Sequence, residues 1–147
     1  MWFKKKTYPE FYTGYLEHFK TTAKQDFDTL RFVVFDTETT GLDITTDRIL
    51  SIGTIAVQNH IIKVSDSFEC YVKQDVFKAE TVKIHGLLKE GKITKVEEPE
   101  AIKAFLQHIE NAILVAHHAA FDVAMINAAL KRMNLPKLKN KVIDTGE

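Results

Sequence analysis

Three acidic side chains stand where this sequence could do chemistry. Asp36 and Glu38 lie two residues apart in "RFVVFDTETTGLD", residues 31–43. In extended backbone that spacing points both to the same face. Asp122 stands near the start of "AFDVAMINAALKRMNLP", an apolar-periodic stretch that reads as a helix, and a helix N-terminus favours negative charge in its first turn. Carboxylates held close together raise one another's pKa unless something positive sits among them. Oxygen donors of this kind suit hard divalent cations, Mg²⁺ or Mn²⁺. Two such ions about 3.5–4 Å apart can clamp the attacking and leaving oxygens of a phosphodiester. Taken singly, each signal has a plainer meaning: an acid at a helix start is usually a cap, and a Thr-rich stretch ending in Gly is usually a turn.

The acids need elements to aim them. "RFVVFD" reads as a short, fully buried strand with Asp36 at its end. "RILSIGTIAVQNHIIKVSDSFECYV" reads as two antiparallel strands broken at Gln58-Asn59-His60. In its second half Ile62, Val64, Phe68, Cys70 and Val72 form the apolar face. "AETVKIHGLL" suggests a short helix or turn. "PEAIKAFLQHIEN" predicts a helix that begins near Pro99 and buries Ile102, Phe105, Leu106 and Ile109. "AILVAHH" is another buried strand. In the helix that follows, Phe121, Met125, Ala128 or Ala129, and Leu130 recur at helical spacing, with Pro136 as its stop. "KVIDT" is a last short strand. Ahead of all this, "PEFYTGYLEHF" predicts an N-terminal helix with Phe11, Tyr12, Tyr15, Leu16 and Phe19 as an aromatic stripe against the body. The order implies an α/β fold, a mixed sheet flanked by helices. It is divided here into an N-terminal helical extension, residues 1–29, and a main domain, residues 30–147.

Composition narrows the class. With 147 residues, 45% of them hydrophobic, the chain can fill one real core. Lys+Arg and Asp+Glu balance at 20 each, so no global basic surface argues for nucleic acid, and a local patch would have to do that work. A single cysteine, Cys70, rules out an intramolecular disulfide. "MWFKKK" lacks a following apolar core and no run is long enough to span a bilayer; a soluble, cytoplasmic protein without membrane contact is expected. Two rival readings of the acids fall on context. "DTETTGLDITTD" places Asp36, Glu38, Thr40, Gly41 and Asp47 at EF-hand positions, but that loop follows a helix and this one follows a strand. A glycosidase pair would need a sugar cleft that nothing suggests.

With these residues in view, "VVFDTETTGLD" resembles the first motif of the DEDDh 3′–5′ exonucleases, the group containing the proofreading epsilon subunit of DNA polymerase III and ribonuclease T. "LVAHHAAFDVAMIN" resembles their second motif. "DRILSIGTIAV", "IHGLLKEG" and "VIDTGE" fall at the expected places, so the likeness covers Leu30 to Glu147. It implies a ribonuclease H-like fold and metal-dependent hydrolysis of DNA or RNA from a 3′ end, with two Mg²⁺ or Mn²⁺ ions as cofactors. Asp36 would bridge both metals, with Glu38 and Asp122 each holding one. Thr39, Thr40, Gly41, Leu42, His85, His118 and Phe121 would meet the terminal nucleotide, Leu42 as a wedge against its base. A DNA polymerase subunit is the implied partner. Two departures stand out: His118 occupies a position where the family carries asparagine, and the third motif, a histidine and an aspartate on a final helix, has no counterpart before Glu147. Hence weak or absent activity is expected of this chain alone, with self-association through sheet surface left uncovered. The alternative is a non-catalytic nucleic-acid or polymerase-binding module on the same fold.

Overall fold

The computed structural model describes residues 4–20, 24–75 and 94–146. Among them the chain runs α1 (Glu10–Glu17), β1 (Phe32–Thr39), β2 (Ile49–Gln58), β3 (Ile61–Val72), β4 (Lys95–Val96), α2 (Glu98–Ile109), β5 (Ile113–Ala116), α3 (Ala119–Arg132) and β6 (Val142–Asp144). The strands form one mixed sheet in the order β4-β3-β2-β1-β5-β6. β1 is antiparallel to β2 and parallel to β5, which places it at the centre. No helix among the described residues is long and apolar enough to cross a membrane.

The helices pack on one face of the sheet. On α2, Ile102, Phe105, Leu106 and Ile109 are buried as their spacing predicts, and Phe105 meets Phe35 of β1 at 5.7 Å between ring centroids. α1 lies on α2 with Tyr12 and Tyr15 buried in the same core. Pro9 precedes the first turn, where its fixed φ suits a helix entry and its missing N–H costs nothing. β2 turns into β3 through Asn59 and His60, both at positive φ, as a type I′ hairpin requires.

Several expectations are corrected. β1 does not end at Asp36: its pairing with β2 continues to Thr39 opposite Ile49, with a register shift after Glu38. Nor is it buried on both sides. Val33, Phe35 and Thr37 face the core, while Val34, Asp36 and Glu38 face an open side on which Val34 is 37% exposed. In register with Val34 on that side lie Ile55 of β2 and Val115 of β5, and Val115 in turn pairs with Ile143. In β3, Ile62 and Val64 are exposed at 64% and 73% rather than facing the core. The cause is a break in register: Ile55 pairs Ser67 but Ala56 pairs Lys63, so Val64, Ser65 and Asp66 bulge out. In α3 the core positions are Met125, Ile126, Ala129 and Leu130, together with Asp122 itself, while Phe121 is half-buried. The short β4 was not foreseen. "AETVKIHGLL" falls outside the described residues.

The bulge is tied down by charge. Arg31 at the entry to β1 grips Asp66 with two hydrogen bonds of 2.8 and 2.9 Å and donates a third to the Ile109 carbonyl at the end of α2. Beside it, His108 hydrogen-bonds Thr54 at 2.8 Å and stacks on Phe68. The Arg31 hydrogen bonds hold the Asp66 carboxyl below its ordinary range, and burial, helped by Arg31, pushes the His108 imidazole below its usual 6.5. Both shifts act in one direction. A folded state that resists protonation more than the unfolded chain does loses stability as pH falls. His108 contributes from about 6.5 downward and Asp66 in the carboxylate range. Denaturant midpoints are therefore expected to fall in two stages on acidification, and His108→Gln removes the upper stage alone.

Candidate active site

β1 and β5 pair only as far as Val34 opposite Val115. Beyond that point β5 ends at Ala116 and the chain turns into α3, so the β1 edge facing it lacks a strand partner. The Thr37 N–H lies on this seam, and Asp122, in the first turn of α3, takes it at 3.1 Å. The Thr37 hydroxyl donates to the same carboxylate oxygen. Asp122 is thereby fixed at the carboxyl end of the central strand, 5% exposed. Thr37 is the residue that sequence reasoning passed over. Its signal was its place between the two acids, since alternation turns it to the face opposite theirs.

Asp36 and Glu38 alternate as expected, both on the open side of β1, opposite Gly53 and Ser51 of β2. Asp122 approaches from the seam. Burial pushes its carboxyl above the ordinary range, the Thr37 hydrogen bonds oppose that, and the negative charge of Asp36 adds to the rise. Asp36 and Asp122 thus feel each other across the strand end. Among the described residues no group of three or more His, Cys, Asp or Glu side chains is closed around one point. The donor set is all oxygen and the excess charge is negative, which is the chemistry a hard divalent cation fits.

The loop after β1 is internally braced. Thr39 donates its hydroxyl to the Gly41 carbonyl at 2.8 Å. Thr40, buried, donates to Asp47 at 2.9 Å and accepts the Arg48 N–H, while Asp47 also accepts the Asp43 N–H. Asp43 in turn accepts from Thr45 and Thr46. The acids of "GLDITTD" are therefore occupied in holding the loop. Their product is Leu42, 83% exposed on a rigid support beside the acids of β1. His85 lies outside the described residues.

On the other side of the seam, Asp144 at the end of β6 accepts the backbone N–H groups of His118, Ala119 and Gly146. These bonds, that from Gly146 foremost, hold its carboxyl below the usual range. Asp144 thus anchors the start of α3 that carries Asp122. His118 caps this helix at φ 54°, a left-handed conformation in which asparagine is more at ease than most residues. Its ring lies exposed against His117, centroids 4.2 Å apart, with Gly146 so close that a Cβ there would come within 2.9 Å of the His118 Nδ1. His118→Asn is therefore expected to raise stability by about 0.5–1 kcal/mol, read as an increase in the urea midpoint at unchanged slope.

A family model described as an exonuclease matches residues 33–147. The PolC-type DNA polymerase III of Caldanaerobacter subterraneus subsp. tengcongensis is 36% identical over 121 residues, covering 79% of this chain and 8% of that protein. Its counterpart in Bacillus subtilis is 33% identical over 118 residues with the same coverage. The chain thus spans about 8% of the length of these curated relatives. Among solved structures, the metal-free form of the E. coli ExoI–ssDNA complex superimposes with a TM-score of 0.69 at 15% identity, over 80% of this chain and 28% of that one. The zinc-bound form of the same complex gives 0.65 at 16% identity, over 79% and 28%. At such identity the likeness is one of fold.

Proposed function

The chain belongs to this exonuclease family, and on that footing we propose that it is a 3′–5′ exonuclease domain that removes nucleotides from DNA or RNA ends using two divalent metal ions, Mg²⁺ or Mn²⁺. One observation carries the reading: Asp36 and Glu38 share a face at the carboxyl end of the central strand, with Asp122 seated on the adjoining seam. These three residues would hold the ions. Bound there, divalent ions supply a nucleophile at neutral pH and stabilise the charge that develops on the phosphate.

The chain's own groups do the rest. Asp36 and Glu38 provide negative charge in a fixed place. Thr37 keeps the Asp122 carboxylate aimed at the seam, and Asp144 keeps the first turn of α3 in position. Leu42, exposed on its braced loop, offers an apolar surface to a base or sugar face, which is the sequence-tolerant contact a general exonuclease needs. Thr39, Thr40, Gly41, Phe121 and His118 border the same end of the sheet. Likeness to a segment of PolC-type DNA polymerase III extends the reading to proofreading beside a polymerase, in the cytoplasm.

A second reading, a non-catalytic nucleic-acid or polymerase-binding module, is favoured by a specific feature: one Asp122 oxygen is already engaged by Thr37, and the described residues close no three-ligand cluster. A 5′-labelled single strand incubated with Mn²⁺ separates the two. A ladder shortening from the 3′ end and abolished by EDTA is the result expected of the nuclease. Binding of the strand without any ladder, indifferent to metal and to Asp36→Ala, would establish the module instead.

A further inference from the structure

The buried Tyr15 hydroxyl donates to Asn140 Oδ1 at 2.6 Å and accepts the Lys139 N–H at 2.8 Å. The Asn140 amide in turn donates to the carbonyls of Glu110 and Ala112. This network stitches α1, which lies ahead of the family match at residues 33–147, to the segment that enters β6. Beside that seam, residues ahead of β1, the start of β5 and the entry to β6 surround a pocket of about 550 Å³. Small-molecule sites occupy about 300–1,000 Å³. Its charged lining is Lys24, Lys139 and Lys141 together with His18, and no acid is among the lining residues described. In a chain of zero net charge that is a local excess. The ion pairs made by lysines among the described residues are those of Lys20 and Lys73, so none of the three pocket lysines is paired there. Glu110 faces His18 at 3.7 Å.

We infer that this pocket binds a free nucleoside polyphosphate, with its phosphates on Lys24, Lys139 and Lys141 and its base against Phe19. Charge and shape both carry the choice. Each nucleotide of a nucleic-acid strand brings one phosphate charge. Three lysines around one pocket instead match the charge that a di- or triphosphate gathers in one place. The rest of the lining suits a nucleoside. Phe19, set edge-on to Tyr15 with centroids 5.1 Å apart, supplies an aromatic face, and Leu30 and Ile113 supply apolar surface. Gln25 and Asn111 carry amides, which both donate and accept as a base edge requires. The Asn111 Nδ2 donates to the His18 carbonyl at 2.9 Å, leaving its Oδ1 to accept. An acidic peptide would meet the lysines as well, but makes no particular use of an aromatic face flanked by amides. The pocket is separate from the acids of β1. Leu30 precedes Asp36 by six residues, about 20 Å of extended chain, so a nucleotide held here takes no part at the acids.

The test is isothermal titration calorimetry of the chain with dATP in EDTA, which keeps divalent ions from the acids, alongside mapping of backbone amide shifts. Deoxyadenosine, dAMP, inorganic triphosphate, a thymidine dodecamer and an acidic peptide are the comparison ligands. The Lys139→Ala/Lys141→Ala double variant keeps the backbone hydrogen bonds of both positions, so its thermal midpoint is expected to stay level. Expected are tighter binding of dATP than of any comparison ligand, and shifts centred on residues 18–20, 24–30, 111–113 and 139–141. The double variant weakens dATP binding by about tenfold or more, and Phe19→Ala narrows the gap between dATP and inorganic triphosphate. Absence of dATP binding at millimolar concentration overturns the inference. So does inorganic triphosphate that binds as tightly as dATP, or a dodecamer or peptide that produces these shifts more tightly than dATP does. Hydrolysis of a labelled strand in Mn²⁺ is followed in parallel and is expected to ignore the double variant. Lysine-dependent dATP binding without hydrolysis overturns the nuclease reading and leaves the pocket standing, whereas hydrolysis that falls with the lysines overturns the separation of the two sites.

Discussion

Asp36→Ala is expected to cost at least about 10³-fold in metal-dependent hydrolysis while leaving the fold intact. The magnitude follows from losing several kcal/mol of metal-borne charge stabilisation at about 1.36 kcal/mol per decade of rate. Preservation of the fold follows from position. Asp36 is exposed on the open side of β1, and its charge works against that of Asp122. Removing it relieves repulsion, so the thermal midpoint stays level or rises. Asp122→Ala behaves differently. It strips the seam of the group that satisfies the Thr37 N–H and hydroxyl, and leaving such a donor unsatisfied costs about 1–3 kcal/mol. Activity and stability then fall together. Oligonucleotide degradation alongside thermal melts of both variants checks the contrast. Equal destabilisation by both would mean that Asp36 is a structural residue.

The largest effect on stability is expected at Phe105. Its side chain is fully buried and bridges Phe35 of β1 and Phe68 of β3, at 5.7 and 6.5 Å between ring centroids. It is therefore the contact through which α2 covers two strands at once. Phe105→Ala removes the ring and leaves a cavity that two rigid strands and a helix cannot collapse, at a cost of about 3–5 kcal/mol. Against a total of about 5–15 kcal/mol for a domain, that is a large share. Urea unfolding measures it, and Phe105→Leu, which refills much of the space, recovers most of the loss. A change below about 1 kcal/mol for the alanine variant would show that the α2–sheet interface is loosely packed.

Much of this was legible in the sequence wherever a single periodicity governs the outcome. The buried face of α2 follows directly from Ile102, Phe105, Leu106 and Ile109. The shared face of Asp36 and Glu38 follows from alternation by two, and the likeness to exonuclease motifs pointed to the same acids. What escaped depends on partners distant along the chain. The bulge at Val64–Asp66 is fixed by Arg31, thirty-five residues away from Asp66. Without that grip, simple alternation sends Ile62 and Val64 to the wrong side. Asp122 occupies a core-facing helical position that a pattern of apolar residues cannot flag, because its reason for burial is an unpaired strand edge on β1. Asp47, weighed in the sequence only as the last position of an EF-hand loop, is buried because Thr40 and the Asp43 N–H converge on it.

On the proposed reading, Asp36, Glu38 and Asp122 form one divalent-metal site at the end of β1. Titration of the isotope-labelled chain with Mn²⁺, followed by paramagnetic broadening of backbone amide resonances, tests it most directly. The earliest broadening is expected to centre on residues 36–39 and 118–122, and Asp36→Ala to abolish it. Broadening centred elsewhere, or a pattern indifferent to Asp36→Ala, would contradict it.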